Sequence, residues 1–94
     1  TAAKLVRTAG AGDWSRVKLV RTDLTRAKLQ LTLHGADLSE ALLDRADLHR
    51  ARCQDAVARK LRAARAILYR SEWDRANLTD ADFTGADLRR ARFE

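Results

Sequence analysis

Proline is absent from this sequence, cysteine occurs once, glycine four times, and aromatic residues make up only 5% of the chain. Each shortage excludes something. Without proline or a low-complexity run there is no linker signal, so the 94 residues read as one domain, 1–94. A single cysteine, Cys53, forms no internal disulfide and fits the reducing cytoplasm. No apolar run approaches the length of a membrane span, and no signal-peptide pattern is present. No Cys/His cluster has zinc spacing. Few aromatics alternate with the basic residues, Tyr69 being the clear case, so base stacking on nucleic acid has little support.

What the chain has instead is a period. Let position i be the central apolar residue. From 38 to 93 it falls on every fifth residue: Leu38, Leu43, Leu48, Cys53, Ala58, Ala63, Leu68, Trp73, Leu78, Phe83, Leu88 and Phe93. Two residues before it stands alanine, with Leu61 and Ser71 the only exceptions. Five is neither the helix period nor the strand period. A strict short repeat signals a solenoid, whose units are buried by their neighbours. Positions i−2 and i share a parity and face inward, i−1 and i+1 face outward, and i+2 takes a corner. Four such sides make a coil of about twenty residues, and coils stack by strand-type hydrogen bonds at about 4.8 Å. The small residue at i−2 leaves room for the large one at i.

The segments Ala36-Asp37-Leu38, Ala46-Asp47-Leu48, Ala76-Asn77-Leu78, Ala81-Asp82-Phe83 and Ala86-Asp87-Leu88 resemble the pentapeptide-repeat family. The resemblance is specific over 36–56 and 76–94 and looser elsewhere. It implies an all-β fold, a right-handed quadrilateral β-helix, here of about four to five coils. The hand and the square section come from the resemblance and not from the spacing.

Earlier centres are Leu5, Gly10, Trp14, Leu19, Leu24, Leu29 and Leu33. Two steps, Gly10 to Trp14 and Leu29 to Leu33, are four residues long and lie nineteen apart, as one corner trimmed in two stacked coils would be. The string Lys4-Leu5-Val6-Arg7-Thr8 recurs as Lys18-Leu19-Val20-Arg21-Thr22. The register predicts four interior columns. The first holds Leu19, Leu38, Ala58 and Leu78. The second holds Leu5, Leu24, Leu43, Ala63 and Phe83. The third holds Gly10, Leu29, Leu48, Leu68 and Leu88. The fourth holds Trp14, Leu33, Cys53, Trp73 and Phe93.

The stretch 57–70, VARKLRAARAILYR, is the least regular. Val57, Leu61, Ala64 and Leu68 have helical spacing and the composition favours helix, so a projecting helix is the alternative to a continuous coil. The unbroken five-residue phase beyond it favours the coil. The coil holding Ala58 and Ala63 is underfilled unless Leu61 supplies the missing volume. The chain starts in frame without Met and ends in mid-repeat without a capping element, which leads us to expect an excerpt of a longer chain.

Catalysis has almost no support. His34 and His49 both take the outward i+1 position, on different sides of the coil. Cys53 is inward and reads as a small hydrophobe. Gly35 and Gly85 fall at corners, where positive φ is easily adopted, and form no phosphate loop. Asp37, Asp47, Asp82 and Asp87 sit at i−1, where solvation and local turn bonding explain them better than acid–base chemistry. We therefore expect no catalytic, cofactor-binding or metal-binding residue, and no small-molecule substrate.

The surface charge says more. Net charge is +6 with a pI near 10.4. Residues twenty apart stack, which puts Arg50, Arg70 and Arg90 in one vertical ladder. Beside them run His49, Tyr69 and Arg89, and Ile67 points outward between Asp47 and Asp87. An outward Ile–Tyr pair rimmed by arginine has the make-up of a binding hot spot. Stacked like charges repel unless something neutralises them. The competing account is a merely solvated face. Arg59, Lys60, Arg62 and Arg65 form a second basic concentration around the middle coil.

A tube filled by its own side chains offers rigid outer faces and no cavity. The expected function is a non-catalytic scaffold for protein–protein interaction, cytoplasmic and part of a larger bacterial protein. Its expected partner is another protein or the rest of the parent chain, with an acidic protein or a nucleic acid as candidates. Two alternatives stay open. Some relatives protect type II topoisomerases from antibiotics by imitating duplex DNA, which requires an acidic surface where this one is basic. The basic rows could instead bind nucleic acid or an anionic membrane directly, with steep salt sensitivity. Net charge alone does not separate an acidic protein from a polyanion.

Overall fold

The computed structural model describes residues 13–94. Leu5, Gly10, the string 4–8 and the shortened step from Gly10 to Trp14 lie outside the described residues. Within them one local structure recurs: a bridge at i−1, then a turn at i+1 and i+2. Every bridge is parallel. Asp37 pairs with Val57 and Val57 with Asn77, while Asp47 pairs with Ile67 and Ile67 with Asp87. Partners lie 19 residues apart for bridges starting from Asp13 to Lys28, and 20 apart from Thr32 onward. Four bridges therefore complete each turn of the chain. Each is one residue long, and no longer strand forms among the described residues. The strand-type contacts stay this short because a turn begins two residues past every bridge.

The repeat can be followed through its amides. On the side centred at Leu48, the Asp47 amide donates to Ala27 O (2.8 Å), the Leu48 amide to Ile67 O (2.7 Å) and the Arg50 amide to Tyr69 O (2.9 Å). The Ala51 amide closes the turn on Leu48 O (2.9 Å). Three amides of the five thus join coil to coil and one holds the corner. The remaining amide, at i+1, has no place in that pattern. Where Asp or Asn stands at i−1, its side chain provides the acceptor. His49 donates to Asp47 Oδ1 (3.0 Å), Thr84 to Asp82 Oδ1 (2.9 Å) and Arg89 to Asp87 Oδ1 (3.2 Å). Such local side chain-to-backbone bonds are what Asp and Asn form well. Where Ser or Thr stands at i+1, as at Ser15, Thr25, Thr79 and Thr84, its hydroxyl donates to the same oxygen.

Corners carry a left-handed residue at i+2. Glycine fills two of them, Gly35 (φ 65°) and Gly85 (φ 69°), but arginine is the usual occupant, as at Arg45 (φ 59°) and Arg50 (φ 62°). A positive φ there, with the i+3 amide bonded to the carbonyl of i, is the pattern of a type II turn. Left-handed backbone costs an L-residue roughly 1–2 kcal/mol. The coil-to-coil bonds on either side hold the chain in it. One corner is different. Between Leu29 and Leu33 the Leu31 amide donates to Leu29 O (2.7 Å), a three-residue turn in place of a four-residue one. Leu31 takes the inward i−2 place and is buried. This missing residue is why every pairing that spans it is 19 residues and every later one is 20.

Positions i from Leu19 to Trp73 are all buried, as are positions i−2 from Ala27 to Ser71. The stretch 57–70 keeps the same bridges and turns and contains no helix. Coils on both sides offer partners to its amides, and a helix would leave those neighbours unpaired. In its coil Ala58 and Ala63 share the interior with Leu61 and Trp73, all shielded from solvent. Leu88 and Phe93, expected in the interior, are 38% and 45% exposed. They hold inward positions in the last described coil, and no further described coil covers them. Leu78 and Phe83 in that coil are half-buried for the same reason. Phe83 meets both Trp73 and Phe93 edge-on, at centroid distances of 6.4 and 6.2 Å. The second and fourth columns therefore touch across the tube.

Candidate interaction face

The side centred on Leu29, Leu48, Leu68 and Leu88 carries the expected partner-binding residues. Its i−1 row is Lys28, Asp47, Ile67 and Asp87, joined in that order by bridges. Its i+1 row is Gln30, His49, Tyr69 and Arg89. The rings of His49 and Tyr69 lie 5.5 Å apart. Two guanidinium groups lie over the Tyr69 ring: Arg70 Cζ is 5.3 Å from its centroid and Arg89 Cζ 5.5 Å. Arg89 also grips Asp87 with two bonds of 2.9 Å. That bond holds the Asp87 carboxyl below its usual range and raises the Arg89 guanidinium. Asp47, His49, Ile67, Tyr69, Asp87 and Arg89 line a shallow depression of about 360 Å³. Ile67 is 43% exposed at its centre.

Both edges of this side are arginine ladders. One is Arg50, Arg70 and Arg90, with φ values of 62°, 60° and 60°. The Arg50 amide bonds Tyr69 O and the Arg70 amide bonds Arg89 O, which fixes their stacking. The opposite edge is Arg26, Arg45 and Arg65, topped by Gly85, where an added Cβ would lie 3.3 Å from Arg65 Cγ. A uniform step of twenty aligns Arg45, Arg65 and Gly85 but misses Arg26, which lies 19 residues before Arg45. The corner register that aligns 50, 70 and 90 finds it once the trimmed corner is counted. The basic group Arg59, Lys60, Arg62 and Arg65 does not converge. Its members fall on two sides and two corners, and only Arg65 joins this face.

The face and its two edges hold eight basic side chains against Asp47 and Asp87, a net +6. The other described residues sum to −2. Pairing is just as uneven. Away from this face, Arg21 meets Glu40 (2.9 Å), Arg75 meets Asp55 (2.9 Å), Arg52 meets Glu72 (3.6 Å) and Arg92 meets Asp74 (3.4 Å). Among the described residues, none of the six ladder arginines lies within ion-pair distance of a carboxylate.

The remaining polar groups are scattered. His34 lies on the neighbouring side, 3.8 Å from Asp55. Cys53 is buried, and desolvation pushes its thiol far up, away from a reactive thiolate. Among the described residues no three His, Cys, Asp or Glu side chains converge as metal ligands would. No helix of the described residues is long and apolar enough to cross a membrane.

This geometry has known counterparts. The family defined as pentapeptide repeats matches residues 31–60 and 62–94, in eight copies. The crystal structure of HetL, a pentapeptide repeat protein involved in heterocyst differentiation regulation from the cyanobacterium Nostoc sp. strain PCC 7120, is 34% identical with a TM-score of 0.83. That match covers 85% of this chain and 38% of HetL. The pentapeptide repeat protein Rfr23 from the cyanobacterium Cyanothece 51142 is 21% identical with a TM-score of 0.52, over 87% of this chain and 64% of Rfr23, and shows the fold alone. The chain thus spans less than two thirds of either protein. No curated protein matches it. Structures of this kind imply a right-handed β-helix, and with the repeats matched over most of its length, the chain belongs to the pentapeptide-repeat family.

Proposed function

We propose that this chain is a non-catalytic scaffold, a right-handed quadrilateral coil that binds a protein partner through an outer face. The observation that carries the reading is the filled interior. Every inward position from Leu24 to Trp73 is occupied by a buried side chain. A substrate has only shallow surface to meet, and the useful feature of the fold is a rigid row of side chains at fixed spacing. The buried thiol of Cys53 and its lack of a cysteine partner suit the reducing cytoplasm. HetL is named for a part in regulation, and a regulatory contact is work of this class. Imitation of DNA is less well supported, because the most charged face here carries guanidinium groups where a DNA mimic needs carboxylates.

Affinity capture with the full-length protein, followed by mass spectrometry with and without nuclease, tests this reading. A protein retained in stoichiometric amount after nuclease treatment is the expected result. Only nucleic-acid-dependent captures, or reproducible turnover lost on changing His34 or His49, would overturn it.

A further inference from the structure

Resting on the scaffold reading, we propose that the face between the two arginine ladders takes an acidic protein segment with an apolar side chain. The partner's carboxylates meet the ladders, and its aliphatic or aromatic group seats on Ile67 and Tyr69.

Charge is the first argument. The face concentrates +6 while the remaining described surface is slightly acidic. Pairing is the second. Away from this face Arg21, Arg52, Arg75 and Arg92, four of the seven described arginines, have carboxylates of their own, whereas none of the six in the ladders does and those six stack on like charges. Such a column repels itself until a counter-charge arrives, so an acidic partner gains the full complementarity.

The centre of the face decides the kind of anion. A phosphate chain has no use for a 43%-exposed isoleucine, and it would run over the carboxylates of Asp47 and Asp87 on the same row. Nor does Tyr69 offer a free stacking platform. Arg70, Arg89 and His49 already crowd its ring, and a base would have to displace one of them. An apolar centre within a charged rim is instead the anatomy of a protein interface. Tyr69, with its guanidinium neighbours, is the anchor.

Fluorescence anisotropy with defined probes tests the proposal. The probes are a labelled peptide of Asp and Glu with one central leucine, the same peptide with alanine at the centre, a lysine counterpart, and single- and double-stranded oligonucleotides of equal charge. We expect the leucine peptide to bind at least about tenfold more tightly than the alanine peptide or either oligonucleotide, and the lysine peptide not to bind. Ile67→Ala with Tyr69→Ala should bring the leucine peptide down to the alanine level. Arg45→Gln with Arg70→Gln should weaken both acidic peptides by about tenfold. All four residues face outward, and circular dichroism melts check that each variant is folded; if one pair fails to fold, the other still separates the outcomes. Oligonucleotides binding as tightly as the leucine peptide, with a steep salt slope indifferent to Ile67 and Tyr69, would overturn the proposal in favour of a polyanion. Absence of peptide binding by folded protein would also overturn it. The scaffold reading would survive that second result if capture still returned a protein partner.

Discussion

Inside the tube, the indole Nε1 of Trp73 donates a 3.0 Å hydrogen bond to the Oγ of Ser71, whose hydroxyl in turn donates to Leu68 O at 2.7 Å. Both residues are fully buried. Ser71 stands where the repeat otherwise places alanine, and this bond is the reason. The tryptophan in the next inward position brings a polar N–H into a dry interior, and the serine two residues earlier satisfies it.

Restoring the repeat's alanine should therefore harm this protein. Ser71→Ala is expected to lower stability by about 1–3 kcal/mol, because it strands the indole N–H. In a Trp73→Phe background the same change should cost much less. Thermal or urea unfolding of the two single variants and the double variant measures the coupling. Additive effects would contradict the bond.

Acid should loosen the coil through its outward carboxylates. Asp13, Asp23 and Asp82 titrate below their usual value, each because the hydroxyl of Ser15, Thr25 or Thr84 donates to it, with the neighbouring amide adding to the effect. Asp87 is lowered by Arg89 and Asp55 by Arg75. A carboxyl whose folded pKa is depressed contributes stability above its unfolded pKa, and that stability is lost as pH falls through the folded value. Melting temperature should thus be flat near neutrality and fall below about pH 4. Replacing Asp13, Asp23 and Asp82 with asparagine, the residue that position 77 already carries, should keep the turn acceptor and flatten the decline. An unchanged acid profile in the triple variant would assign the loss to other groups.

How far the sequence can be read depends on whether one residue or several decide a feature. The Ala–Leu period is decided one position at a time, so the inward rows and the ladder Arg50, Arg70 and Arg90 are legible from spacing. Arg45 and Arg65 are twenty apart and equally legible, whereas Arg26 lies before the trimmed corner and joins them only through a step of 19. The full length of that ladder, and with it the symmetry of the face, is hidden from a uniform step of twenty, which misses Arg26. The helical spacing in 57–70 is a true feature of composition, outweighed by the hydrogen-bonding edges above and below. For Leu88 and Phe93 the register names an inward position but does not say whether another coil covers it. The purpose of Ser71 depends on the direction of an indole N–H, which no spacing rule encodes.

The left-handed corners make opposite predictions for glycine and for arginine. Arg45 sits at φ 59°, and Gly85 holds the corresponding place in the same stack at φ 69°. Arg45→Gly relieves left-handed strain and one like-charge contact while adding chain entropy to the unfolded state, so stability should change by less than about 1 kcal/mol. Gly85→Ala adds a Cβ 3.3 Å from Arg65 Cγ at a left-handed φ, and should lower stability by about 1 kcal/mol or more. Equal melting temperatures for the two variants would show that the corners are not strained.

Leu61 gives the last test of the packing. It stands at an alanine position, yet is fully buried in the coil where Ala58 and Ala63 leave the interior thin. If its bulk fills that space, Leu61→Ala opens a cavity in that coil and should cost about 2–5 kcal/mol, despite matching the repeat. Ala58→Leu added to Leu61→Ala should recover part of that loss by returning volume to the same coil. Thr79→Ala, outward at i+1, removes only a hydroxyl bond to Asn77 and should cost about 0.5 kcal/mol or less. Urea unfolding orders the three variants. A Leu61→Ala protein as stable as Thr79→Ala would mean that the coil closes around the missing side chain, and that Leu61 does not compensate for its two small neighbours.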